Sequence, residues 1–196
     1  MKKAVAHLKM SDPVLGALIE RLGPSRIRYR PATFDALVHA IVNQQLSSKA
    51  AATIYGRLQA ALAPKLVEPR GILRLGETGL RALGISRQKG SYLLDLAQKT
   101  RKKEVDFDAL PKLPDADVLA KLIAIKGIGE WTVHMFLMFA LRRPDVLPVG
   151  DLGIQSAIHK LYGLESRPKP KQVAEIGAKW SPFASYAAWY LWRSLE

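Results

Sequence analysis

An all-α fold is predicted by three observations. Apolar residues recur at three- and four-residue spacing along most of the chain. No stretch alternates polar and apolar residues with period two. Helix-capping residues stand before the periodic runs, and glycine or proline often follows them. With 196 residues, 48% of them hydrophobic, the chain can bury a real core as one compact domain or two small lobes.

The elements follow in order. Asp12-Pro13 reads as an N-cap with proline at the first helical position, opening a run of Val14, Leu15, Leu18, Ile19 and Leu22 that Gly23-Pro24 stops. Thr33 caps a second helix carrying Phe34, Leu37, Val38, Ile41 and Val42. After the polar break Asn43-Gln44-Gln45, Ser47 caps a third, with Ala50, Ala51, Ile54, Leu58 and Leu62. Between Glu68 and Leu83, Gly71, Gly76 and Gly79 predict short, divided helices. Ser86 caps the next, which turns Tyr92, Leu93, Leu96 and Ala97 inward and runs out into a basic, solvated end at Lys99–Lys103. Asp115 starts another, with Val118, Leu119, Leu122 and Ile123. A glycine turn then leads into a helix from Trp131 to Leu141, and Arg142–Gly150 is a loop with Pro144 and Pro148. Asp151 precedes a helical pattern of Leu152, Ile154, Ile158 and Leu161. Arg167–Lys171 reads as a stiff basic linker, and Ser181-Pro182 opens a last helix rich in aromatics: Phe183, Tyr186, Trp189, Tyr190 and Trp192.

Charge narrows the function. Thirty Lys and Arg against seventeen Asp and Glu leave +13, which favours a polyanionic partner, nucleic acid first and an acidic membrane surface second. The absence of cysteine excludes disulfides, zinc ribbons and cysteine-ligated iron–sulfur clusters, and fits a reducing compartment. No apolar run approaches the roughly 20 residues of a membrane span. The start, Met1 to Lys9, is too broken to be a signal segment. His7, His39, His134 and His159 have no metal-ligand spacing.

Two motifs carry chemistry. In Lys126-Gly127-Ile128-Gly129, two glycines flank one isoleucine between helices. Glycine permits positive φ and a close backbone approach, and Ile128 can plug the space between the helices. The second helix begins at Gly129 or Glu130, so its first N–H groups point outward and can bind a phosphate, with Lys126 adding charge. The same residues also suit an ordinary tight αα turn. Further on, Pro148 stiffens and Gly150 relaxes the approach to Asp151. Alone, Asp151 can be a simple N-cap worth about 1 kcal/mol. One helix and one loop from the hairpin, it can instead present a carboxylate to the same nucleic-acid strand.

The stretch Ile125–Gln155 resembles the signature of the helix-hairpin-helix, Gly/Pro-rich loop and Asp superfamily of DNA glycosylases. Ile41-Val42-Asn43-Gln44-Gln45-Leu46-Ser47 and Gly129-Glu130-Trp131-Thr132 are similar to its alkylation-repair branch, the 3-methyladenine DNA glycosylase II type. The resemblance implies a two-lobed, all-helical fold without the N-terminal β-rich domain of longer relatives. One lobe spans residues 32–146, with the wedge loop and hairpin; the other takes 1–31 and 147–196, with Asp151. A flipped base would lie in the cleft between them.

By the same resemblance Asp151 is the catalytic carboxylate, stabilising positive charge on the deoxyribose or orienting water. An alkylated purine already carries positive charge and leaves without a strong general acid, and the sequence offers no convincing second carboxylate. Gln44, Gln45 and Leu46 match the wedge that fills the gap left by the flipped base, although a capped helix break explains them equally well. Trp131 and Trp192 match base-pocket tryptophans, suited to a cationic ring. Met135 and Leu152 stand where some relatives place tyrosines, implying a roomier pocket. Lys126, Gly127, Ile128 and Gly129 match the phosphate grip. The main-chain oxygens of Ile123, Ile125 and Ile128 can hold a structural Na+ or K+, and no cofactor is required. Relatives with lyase activity carry lysine at Trp131, so the reaction should stop at an abasic site. The expected partner is double-stranded DNA containing alkylated bases, without a membrane, and the chain is expected to be a monomer. Its expected place is the cytoplasm with the bacterial nucleoid, or the nucleus in a eukaryote, and not outside the cell. The competing readings are a non-catalytic hairpin module that only holds DNA and a glycosylase for mismatched or oxidised bases.

Overall fold

A computed structural model describes residues 2–196, and among them it holds eleven α-helices and no β-strand. The helices are α1 (Lys2–Ser11), α2 (Pro13–Leu22), α3 (Phe34–Asn43), α4 (Ser48–Leu62), α5 (Pro69–Ala82), α6 (Arg87–Arg101), α7 (Asp115–Ile123), α8 (Glu130–Phe139), α9 (Leu152–Leu161), α10 (Pro170–Gly177) and α11 (Ala184–Arg193). Short 3-10 turns lie at Leu110–Lys112 and Ala178–Trp180. Five caps sit where the sequence placed them. Asp12, Thr33, Ser47, Ser86 and Asp151 each accept a backbone N–H from the first turn of the helix that follows.

Four local expectations are corrected. α1 adds a helix ahead of the one expected at Asp12; only its Ala4 and Leu8 are buried, too few to mark a periodic apolar face. α5 is not cut at all three glycines. Only Gly76 leaves helical geometry, with φ 62° and ψ −173°. Gly71 stays helical, and a Cβ there would meet Leu62 Cδ2 at 2.8 Å, so its role is close packing on α4. The basic linker ends early, since α10 starts at Pro170, where proline at the first helical position is favoured. Gln172 Oε1 accepts the N–H of Lys169 at 2.8 Å to fix that start. The last helix begins at Ala184, not at Ser181. The carboxylate of Asp145 takes the Ser181 hydroxyl at 2.6 Å and the Ala184 N–H at 3.1 Å, so a loop residue caps this helix from outside.

The chain divides into two compact units. One comprises the described residues up to Tyr29 together with Leu137–Glu196; the other is Arg30–Phe136. The second boundary falls inside α8, ten residues before position 146.

The second unit packs α3, α4, α5, α6 and α7 around Leu37, Val38, Ile41, Leu58, Ile72, Leu80, Leu93, Leu96 and Leu122. A chain of edge-to-face rings, Phe34–Phe107–Phe136, with centroids 6.3 and 6.2 Å apart, ties its helices to the loop before α7. The first unit is organised by a carboxylate. Asp12 is 0% exposed. Besides capping α2, it accepts the indole N–H of Trp180 at 2.8 Å, the hydroxyl of Tyr162, and the ammonium of Lys179 at 3.2 Å. Burial pushes its pKa up, but the bonds from Tyr162, Trp180, the Leu15 N–H and Lys179 outweigh burial and hold it below the usual carboxylate range. Asp12 thus joins α2, α9 and the turn before α11.

Removing this carboxylate orphans buried donors, so Asp12→Ala should cost at least about 3 kcal/mol in urea unfolding at pH 7. A carboxyl whose folded pKa lies below its unfolded one stabilises above the unfolded pKa, and that stabilisation is lost as pH falls through the folded one. Wild type should therefore shed stability below about pH 4, and Asp12→Asn should lack that component of the acid limb.

Candidate functional site

Asp151 stands at the start of α9 because Pro148 and Gly150 shape the loop before it. Its N–H bonds back to the Pro148 carbonyl at 2.9 Å. Gln155, buried one turn into α9, donates its side-chain amide to the Val149 carbonyl at 3.0 Å and pins the same loop from inside. The side chain of Asp151 is half-buried. Its Oδ1 accepts the Ile154 N–H at 2.8 Å, the expected cap, and also the indole N–H of Trp192 at 2.8 Å. The carboxylate is therefore clamped between a helix N-terminus and an indole from α11. The positive end of the helix dipole supports negative charge there.

Gly153 makes the clamp possible. A Cβ at that position would lie 3.0 Å from Asp151 Oδ1 and 3.0 Å from Trp192 Cδ1. The glycine at this point of the motif is thus required by close approach and not by φ. Trp192 packs on Phe139, with centroids 6.1 Å apart. It also forms one wall of a cavity of about 750 Å³ within the first unit.

The second unit holds the hairpin. Gly127 has φ +75°, and a Cβ would meet the Tyr92 ring at 2.0 Å, so the ring of α6 lies flush on the turn. Ile125 and Ile128 are buried and plug the bend. Ile128 donates its N–H to the Ile125 carbonyl at 3.1 Å, and Asp95 Oδ2 takes the Lys126 N–H at 2.9 Å. Lys126, Gly127 and Gly129 are exposed. α8 begins at Glu130, and its earliest backbone bond within the helix pattern is Val133 N–H to the Gly129 carbonyl. The first N–H groups of α8 thus lie at an exposed, glycine-flanked turn, as an anion site requires.

The loop Gln44–Leu46 lies against this hairpin. Gln44 donates its amide to the Gly127 carbonyl at 2.8 Å. Lys89 of α6 donates to the carbonyls of Val42 at 2.8 Å and Gln44 at 2.6 Å. Burial lowers the Lys89 pKa. Gln45 adopts a left-handed φ of 54°, uncommon for a residue with a side chain, and is exposed. Leu46 is 39% exposed. Gln44 is thus turned inward as a strut, while Gln45 and Leu46 form the tip.

The remaining predicted residues are placed as follows. Trp131, in the first turn of α8, is 55% exposed, an unusual position for an indole. Met135 is half-buried one turn later. Leu152 is 64% exposed beside Asp151. His134 is half-buried, and burial lowers its pKa despite Glu130 at 3.7 Å. Among the described residues no three His, Cys, Asp or Glu side chains gather to hold a metal. Sequence reasoning missed Gly153, Lys89, Tyr92 and Asp95. Gly153 was readable as a second glycine flanking Asp151. Lys89 and Asp95 sit at ordinary helical positions and carry no local signal, and Tyr92 reads from sequence only as an inward helix residue.

The chain matches the family model of the HhH-GPD superfamily base excision DNA repair proteins over residues 38–183. It belongs to that superfamily. Over 192 residues it is 32% identical to a protein of Bacillus subtilis named putative DNA-3-methyladenine glycosylase, covering 95% of this chain and 67% of that one. Among solved structures, it is similar to a DNA-3-methyladenine glycosidase from Bacillus halodurans, with TM-score 0.89, 37% identity, and coverage of 97% of this chain and 88% of that one. It is also similar to a Schizosaccharomyces pombe 3-methyladenine DNA glycosylase in complex with abasic DNA, with TM-score 0.85, 31% identity, and coverage of 98% and 96%.

If the indole N–H orients the carboxylate, Trp192→Phe, which keeps an aromatic face, should lower single-turnover base release at saturating enzyme about tenfold, the equivalent of one hydrogen bond. Gly153→Ala, which forces the pair apart, should lower it in the same direction. Unaltered release in both variants would remove the clamp from the chemistry.

Proposed function

We propose that this protein hydrolyses the N-glycosidic bond of alkylated, cationic purines in double-stranded DNA and leaves an abasic site. The observation that carries the reading is the Asp151 carboxylate, held at a helix N-terminus by the Ile154 N–H and by the indole of Trp192. The names of its relatives, and the abasic DNA bound by one of them, support the substrate class.

Breaking the bond to a purine builds positive charge on the deoxyribose. A carboxylate fixed before the reaction stabilises that charge without reorganising, and it can orient the water that attacks the sugar. Two hydrogen bonds on Oδ1 fix its rotamer, which is the positioning this role requires. The leaving group arrives already cationic when the purine is alkylated, so one carboxylate suffices.

A base inside a duplex is reached only after eversion. The exposed tip Gln45-Leu46, braced by Lys89 and by the Gln44 strut, is suited to fill the space left in the stack. The hairpin at Lys126–Gly129 then holds the strand by its phosphates, without reading sequence. Trp131 and Met135 of the second unit, and Trp192 and Leu152 of the first, are the side chains suited to contact a cationic ring. Trp131 stands where a Schiff-base lysine would be needed for strand cleavage, so the reaction ends at hydrolysis. The carbonyls of Ile123, Ile125 and Ile128 are the hard oxygen donors that Na+ or K+ prefers. A cation held there would add positive charge at the hairpin. The protein acts as a monomer in this reading.

Asparagine caps a helix as well as aspartate does, so Asp151→Asn separates chemistry from folding. It should melt within a degree or two of wild type and bind alkylated duplex equally. Base release, measured as alkali-labile sites, should fall by at least about a hundredfold. Near-native release would remove Asp151 from the mechanism.

A further inference from the structure

The segment between α2 and α3 belongs to no helix, and burial alternates along residues 25–28. Here Ser25 and Ile27 turn inward, buried and half-buried, while Arg26 and Arg28 are exposed between them. Both arginines line the cavity of about 750 Å³ in the first unit, together with Trp189, Trp192 and Arg193 of α11. Arg193 lies 6.0 Å from the Trp189 ring and is paired with Glu196. Neither Arg26 nor Arg28 makes an ion pair among the described residues.

The segment is pinned at both ends. Tyr190 donates its hydroxyl to the Gly23 carbonyl at 3.0 Å. At the other end the ring of Tyr29 lies under the Arg142 guanidinium at 5.0 Å. Arg26 and Arg28 are therefore presented from a held backbone at a cavity walled by indoles, and no ion pair among the described residues uses their charge.

We propose that Arg26 and Arg28, with the indoles of Trp189 and Trp192, form a second nucleic-acid subsite, separate from the hairpin, that holds the phosphodiester backbone of a DNA strand. Guanidinium forks match phosphate oxygens, and indole faces accept nucleobases irrespective of sequence. Through Trp192, whose N–H is bonded to Asp151, the subsite shares a wall with the catalytic carboxylate. A strand held there is a strand held beside the chemistry. The inference rests on DNA being the substrate.

The test is fluorescence anisotropy of the full chain on a duplex with a stable abasic analogue, across 50–400 mM KCl. Each phosphate contact contributes about 0.9 to the slope of log affinity against log salt. Arg26→Gln/Arg28→Gln should lower the slope by about 1.8, whereas Lys2→Gln/Lys3→Gln, an equal loss of charge on α1, should leave it unchanged. Trp189→Ala should weaken binding without changing the slope. An unchanged slope in the arginine variant overturns the subsite while leaving the glycosylase reading intact. A slope lowered equally by both double variants reduces it to net charge and also overturns it. Stabilisation of wild type by inorganic phosphate, lost in the arginine variant while the DNA slope is unchanged, identifies a small-anion site and overturns the DNA assignment. A wild type that shows no salt-dependent DNA binding fails the glycosylase reading itself.

Discussion

The proposed chemistry depends on one carboxylate oxygen with two donors. Oδ1 of Asp151 caps α9 through Ile154 and at the same time receives the indole N–H of Trp192. Either bond alone is common in proteins. Together they convert a capping residue, free to adopt several rotamers, into a group with one orientation. The rest of the first unit maintains this arrangement. Gln155 holds the approach loop, Gly153 provides the space, and α11 carries Trp192 on a helix whose own start is capped by Asp145. Asp12, buried beneath Trp180 and Tyr162, locks α2 and α9 of the same unit.

The second unit solves a different problem with the same economy of side chains. A glycine turn that presents backbone N–H groups must be rigid without covering itself. Tyr92 packs where the Gly127 side chain would be, and Asp95 and Ile128 take the inner bonds. Gln44 bonds the turn to the neighbouring loop. Loop and hairpin are thus one assembly, and Lys89 binds that assembly to α6. A strained residue such as Gln45, with φ 54°, persists because the surrounding bonds fix it.

Much of this was legible in the sequence where the physics is local. Caps at Asp12, Thr33, Ser47, Ser86 and Asp151 depend on a residue and its next three neighbours, and all five stand as read. The glycine hairpin and the start of α8 are likewise local. The second role of Asp151 was not legible, because its partner Trp192 lies 41 residues away. Trp192 was read for its ring face, and it acts through its edge. Gly71 and Gly79 misled because glycine's low helix propensity is a weak signal against packing. Lys89 and Asp95 carried no signal, since their partners are main-chain groups distant in sequence, and Tyr92 was legible as an inward residue but not as the ring that covers Gly127. The arginines 26 and 28 were counted in the net charge, but the cavity they share with α11 is formed by residues far apart in sequence.

In the proposed mechanism the clamped carboxylate meets positive charge on the sugar. Binding affinity can test this without turnover. Duplexes carrying a cationic pyrrolidine in place of the deoxyribose should bind wild type at least about a hundredfold more tightly than duplexes carrying the neutral tetrahydrofuran analogue, a preference worth about 2.7 kcal/mol. In Asp151→Asn the two should bind alike. A cationic preference that survives the substitution would place the charge-stabilising group elsewhere and contradict the account.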